Sequence, residues 1–88
     1  MNDPVLRDAA DRWQRGRETH GKGEWVGRPP LEECYEELLD TINYLQEHIR
    51  QCPEDRQWAV NVIQFTLADA RVVRTRILER NPKWNLNG

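Results

Sequence analysis

Between residues 31 and 50, Leu31, Tyr35, Leu38, Ile42, Leu45 and Ile49 recur at alternating steps of four and three. Read as a helix, this is a continuous apolar stripe at heptad spacing, and it must be covered. Glu33, Glu36, Glu37 and Asp40 make a second stripe on the same stretch. At about 100° per residue, these carboxylates point nearly opposite the apolar seam. Stacked like charges cost an isolated helix roughly 0.2–0.5 kcal/mol per pair. A helix that keeps them needs water on that face, or a cation.

The rest of the chain is short. Its 88 residues make one small domain across 1–88. A chain of this size buries only about 60–65% of its unfolded surface, so a subunit alone is marginal and gains from oligomerising. The formal net charge of −2 favours neither nucleic acid nor an anionic membrane. The charge is unevenly placed. Residues 31–49 hold six acids and no Lys or Arg, whereas residues 71–83 hold five bases and one acid, Glu79. Cys34 and Cys52, on one helix, would lie about 27 Å apart, far beyond a disulfide's reach. Reduced thiols suit a cytoplasmic protein. No apolar run approaches the roughly 18 residues of a membrane span, and no signal peptide is visible.

Taken in order, Asp3 can cap a helix that has Pro4 at its first position. Val5, Leu6, Ala9, Ala10 and Trp13 recur on one face, which predicts a first helix over about 4–17, weakened near its end by Gly16. The stretch 20–30 holds three glycines and two prolines, so it is a loop, with Trp25 as its apolar anchor and Lys22 and Arg28 as its cations. A second helix is expected over about 30–51. Pro53 ends it and starts a third, over about 53–80, with Glu54 and Asp55 in the first turn. The third helix has a stripe of its own at Ala59, Val62, Ile63, Thr66, Ala70, Val73 and Ile77, widened on one side by Trp58, Phe65 and Val72. Two shorter helices cannot cover so much apolar surface. The expectation is an all-α, three-helix subunit that buries the remainder against a second copy, with a short tail at 81–88.

The carboxylate stripe can carry chemistry. Magnesium takes oxygen ligands, and carboxylates at i, i+3 or i, i+4 can share one ion. The pairs Glu33–Glu36 and Glu37–Asp40 supply that spacing. An ion held so can bridge the phosphates of a nucleotide or activate a water for attack on phosphorus. A solvated acidic face has the same spacing, and both readings stand at this point. Asp69 lies among Trp58, Val62, Phe65 and Val72, an apolar neighbourhood that asks a carboxylate for a partner. It reads as a structural ion pair, an interface contact, or a metal ligand from the third helix. Arg71, Arg74, Arg76, Arg80 and Lys83 suit phosphate, and equally suit pairing with the acids of the second helix. Lys22 and Arg28 are further phosphate contacts, and Trp25 or Trp84 can stack on a base or pack in a core. His20 and His48 stand in no usual zinc spacing with Cys34 or Cys52, and no P-loop pattern is present.

The run Leu31-Glu32-Glu33-Cys34-Tyr35-Glu36 resembles the EExxE signature of the MazG-like all-α nucleoside triphosphate pyrophosphatases. Glu37-Leu38-Leu39-Asp40 resembles their ExxD signature. Ile42, Asn43, Tyr44 and Leu45 continue the likeness, and His20, Gly21 and Trp25 resemble a loop that precedes this helix in small members. The likeness covers about 15–49. It implies an oligomeric helical bundle that binds Mg²⁺ and splits a nucleoside triphosphate into monophosphate and pyrophosphate, in members that adjust nucleotide pools, some of them in phages. It puts Glu33, Glu36, Glu37, Asp40 and Asp69 with the metal, and Glu36 and Asp40 with catalysis. Lys22, Trp25, Arg28, Asn43 and Arg76 fall to the substrate. One departure is visible. The family's two signatures lie on successive helices, whereas here both abut on one, and the third helix offers Asp69 with Thr66 where the partner glutamate would stand. A site rebuilt between subunits, a nucleotide-binding protein without hydrolysis, and a plain protein-interaction bundle are the alternatives this leaves.

Overall fold

The computed structural model describes residues 3–20 and 29–87, and of residues 17–20 the backbone alone. These form α1 (Pro4–His20), α2 (Pro30–Gln51), a single 3-10 turn (Pro53–Asp55) and α3 (Arg56–Arg80), with no strand among the described residues. The all-α expectation holds. α2 fills its expected range, whereas α3 begins at Arg56, three residues after the expected start, because the turn at Pro53 is 3-10. α1 runs three residues past its expected end.

Asp3 caps α1 as expected. Its Oδ1 accepts a hydrogen bond from the Val5 backbone N–H at 2.8 Å, which satisfies one of the orphan donors of the first turn. α2 begins with Pro30 at its first position and Glu32 and Glu33 in its first turn, where the helix dipole favours acids. It ends at Cys52, whose N–H donates to the His48 carbonyl at 2.7 Å. Pro53 cannot continue the ladder, and the 3-10 turn swings the chain into α3.

α2 and α3 pack as an antiparallel hairpin. His48 lies beside Trp58 at the corner, and at the open end the Tyr35 ring meets Trp84 edge-on at 5.7 Å, just past α3. The tail therefore folds back on its own α2. The two predicted seams face each other. Ile42 from α2 and Ala59, Ile63, Thr66, Ala70 and Ile77 from α3 are buried. Ala59 and Ala70 carry small side chains, which let the helix axes approach. The core is thin, and among the described residues no large side chain is fully buried.

Two apolar surfaces are exposed. Val5, Leu6 and Trp13 of α1 make one; the contacts between described elements join α2, the 3-10 turn and α3. On α3, Trp58, Val62, Phe65 and Val72 are exposed beside the buried seam, and Phe65 is 75% accessible.

Candidate functional site

The helical repeat sorts the acids of α2 by side. Leu31, Tyr35, Leu38, Ile42, Leu45 and Ile49 point at α3. Glu33 and Asp40 therefore point almost directly away from it, while Glu36 and Glu37 lie on opposite flanks. Glu37 and Asp40 are exposed, whereas Glu33 and Glu36 are half-buried. No described cation forms an ion pair with Glu37 or Asp40.

Asp69 is exposed, which corrects the expectation of a carboxylate drawn into an apolar pocket. Its neighbours on the helix are apolar, but they are themselves the uncovered strip. It forms no ion pair with Arg76 or with any other described residue.

The register of the hairpin nevertheless brings two of the predicted ligands to one level. His48 and Trp58 touch across the corner, with ring centroids 5.8 Å apart. Glu37 stands eleven residues before His48, and Asp69 eleven after Trp58. Eleven residues are close to three helical turns, so each side chain returns to the side from which its reference residue projects. Glu37 and Asp69 thus occupy the same level on the same open side, one from each helix. Glu33, Glu36 and Asp40 do not join them within the subunit.

Thr66, at the place of the missing glutamate, is buried in the seam. Its hydroxyl donates to the Val62 carbonyl at 2.8 Å, so it faces its own helix and not the acids. Arg76 donates to both oxygens of Glu79, at 3.0 and 3.1 Å, one turn along the same helix. Arg71, Arg74, Arg80 and Lys83 make no ion pair with a described acid. The expected cross-pairing of these bases with the acids of α2 does not occur among the described residues. Asn43 is exposed on α2. Lys22, Trp25 and Arg28 lie outside the described residues.

The corner holds a group that the sequence reading passed over. One ligand atom each from His48, Cys52 and Asp55 lie within 4.8 Å of one another. His48 Nε2 and Asp55 Oδ2 are 2.7 Å apart. The His48 hydrogen bond, then that of the Trp58 indole, hold the Asp55 carboxyl below its ordinary range, while its partial burial works the other way. The signal was present in the spacing. His48 and Cys52 are i, i+4 on one helix, and a proline-initiated turn returns Asp55 to them. Judging each cysteine against a conventional zinc motif hid it. Both cysteines are free thiols.

No family model, curated protein or solved structure matches this chain.

Proposed function

We propose that the protein is a magnesium-dependent nucleoside triphosphate pyrophosphohydrolase whose site is completed by a second copy of the chain. The observation that supports this reading is the level pairing of Glu37 on α2 with Asp69 on α3, on the open side of the hairpin. Magnesium sites in nucleotide enzymes commonly use one or two carboxylates and take their remaining ligands from water and the substrate's phosphates. An oxygen-only donor pair fits that hard ion. When bound, the ion supplies charge neutralisation for the triphosphate and acidifies a water. Glu33, Glu36 and Asp40 extend the acidic face along α2 but project away from this pair, so Glu37 or Asp69 orients the attacking water. Arg71, Arg74 and Arg80, free of ion pairs with described acids, supply cations for phosphate, and Asn43, Lys22, Trp25, Arg28 and Arg76 complete the proposed substrate contacts.

The second copy is argued from surface and register. Trp58, Phe65 and Val72 are each at least half accessible along one side of α3, and a standard interface takes about 800 Å² from each partner. Trp58, Val62, Phe65, Asp69, Val72 and Arg76 repeat at steps of four and three, a second heptad seam on α3. A two-fold axis through Phe65 sets Trp58 against Val72 of the other copy and Arg76 against its Glu54. Apolar side chains then meet at the centre and opposite charges at the ends. Asp69 lies within the strip and Glu37 at its margin, so the second copy walls the acid pair off from bulk water.

The buried Thr66 favours one rival. With a single acid on α3, the scaffold can hold a nucleotide and leave it uncleaved. The test is a thermal melt with and without magnesium against a nucleotide panel, followed by incubation of the hits and a pyrophosphate assay. The enzyme reading expects a magnesium-dependent shift and released pyrophosphate, with turnover abolished in Glu37→Gln and Asp69→Asn at unchanged helical circular dichroism. Undiminished turnover in both variants would sink the metal assignment. A shift with the nucleotide recovered intact would leave the binding protein.

A further inference from the structure

We propose that the corner between α2 and α3 is a zinc site, with His48, Cys52 and Asp55 as ligands and the fourth position open to water. It is separate from the acidic face, because His48 lies about 12 Å along the helix axis from Asp40, and it stands or falls independently of the nucleotide reading.

The donor set selects the ion. One imidazole nitrogen, one thiolate and one carboxylate suit zinc, whereas magnesium and calcium take oxygen alone. The geometry is close to what zinc requires. Bonds of about 2.0–2.3 Å place tetrahedral ligands roughly 3.3–3.8 Å apart, and the three ligand atoms already lie within 4.8 Å of one another. Side-chain torsions cover the difference.

The backbone holds the three residues in place before any ion arrives. The Cys52 N–H donates to the His48 carbonyl at 2.7 Å, and the Asp55 N–H donates to the Cys52 carbonyl at 3.0 Å. All three ligands sit within eight residues, so little chain entropy is lost in gathering them. Trp58 supports the ligands from outside. Its ring tilts against the His48 imidazole, with centroids 5.8 Å apart. Such outer contacts fix ligand orientation in zinc sites. The His48 and Asp55 side chains are 39% and 36% accessible, so the ion can enter and the fourth position faces water. Three protein ligands with one position open is the coordination of catalytic zinc sites rather than closed structural ones. On binding, zinc takes Nε2 of the neutral His48 imidazole, with the ring proton on Nδ1, and displaces the thiol proton of Cys52 to solvent.

The experiment uses the full chain, stripped with chelator and kept reduced, titrated with zinc alone and then with cobalt(II) as a spectroscopic stand-in. The expected result is one equivalent bound, with a thiolate-to-cobalt charge-transfer band. Cys52→Ser abolishes that band while the helical circular dichroism is kept. Cys34→Ser leaves it unchanged, because Cys34 is about 27 Å away along the helix. Asp55→Asn and His48→Ala each weaken zinc at least tenfold, and Trp58→Ala, which removes the ring packed against His48, weakens it by roughly 10-fold. Absence of equimolar binding would overturn the proposal. So would a charge-transfer band that survives Cys52→Ser, or adventitious zinc binding unaffected by all three ligand substitutions.

Discussion

Phe65→Ala separates the role of the uncovered strip from that of the buried seam. Phe65 is 75% accessible in the subunit. A phenylalanine side chain presents about 200 Å², so about 150 Å² remains to be covered. At about 25 cal/mol per Å², full coverage contributes at most about 4 kcal/mol. Alanine keeps part of that area, so the substitution removes about 2–3 kcal/mol per copy. In a two-fold interface the residue occurs twice, which raises the loss to about 4–6 kcal/mol and weakens the dimer roughly 10³- to 10⁴-fold. The subunit's own fold is nearly untouched, because an exposed side chain leaves little packing to lose, about 0.5 kcal/mol at most. Sedimentation equilibrium across a concentration series reads the first quantity. Chemical denaturation at concentrations where the chain is monomeric reads the second. A dissociation constant that does not move would refute the two-fold pairing. A monomer that loses several kcal/mol would show that the strip is packed within the subunit after all.

Ile63→Ala acts on the buried seam instead and costs about 2–5 kcal/mol in urea unfolding with the slope unchanged. The same truncation at exposed Val72 stays within about 0.5 kcal/mol in the monomer. Gly16→Ala stabilises α1 by about 0.8–1.0 kcal/mol and slows exchange of its amides several-fold. An added Cβ there meets no atom within 4 Å, so no clash offsets the gain, and the melt of the α2–α3 hairpin should not move. Glu47 accepts from Arg50 at 2.6 and 2.9 Å and from Gln51 at 3.0 Å, and these bonds, Arg50's first, hold its carboxyl below the ordinary range. Its folded pKa is depressed, so its small contribution to stability is present above the unfolded value and is lost as pH falls through the folded one. Carboxyl-carbon NMR should show a midpoint below that of a free glutamate, returning toward it in Arg50→Ala. An equal midpoint in both proteins would refute the pairing.

Much of this architecture was legible in the sequence because it rests on periodicity and punctuation. The heptad steps of Leu31 to Ile49 and of Ala59 to Ile77 are local, and each seam faces the other because they are the longest apolar stripes on neighbouring helices. Pro30 and Pro53 mark boundaries through the missing N–H and the fixed φ, which no tertiary contact can override. The misreadings came where the answer depends on a second element. The α1 stripe of Val5, Leu6 and Trp13 predicted a helix with an apolar face. Periodicity shows that a helix has an apolar face but not which surface receives it. Asp69 looked buried because its neighbours are apolar, yet those neighbours flank the seam instead of forming it.

The candidate sites divide in the same way. The acidic stripe of α2 could be read directly, since i, i+3 and i, i+4 spacing places carboxylates on a helix without further information. That Glu37 and not its neighbour Glu36 falls on the same side as Asp69 at that level depends on the hairpin register, which the His48–Trp58 contact sets and no local pattern encodes. The meeting of His48, Cys52 and Asp55 depends on how tightly the 3-10 turn after Cys52 closes. By itself, the sequence determined three helices, their ends at proline and the two stripes on α2, because local sterics and the helical repeat govern those. Only the tertiary structure decided which apolar stripe is covered, which carboxylates share a level and which side chains converge at the corner. Each of these is a distance between residues whose separation is set by packing.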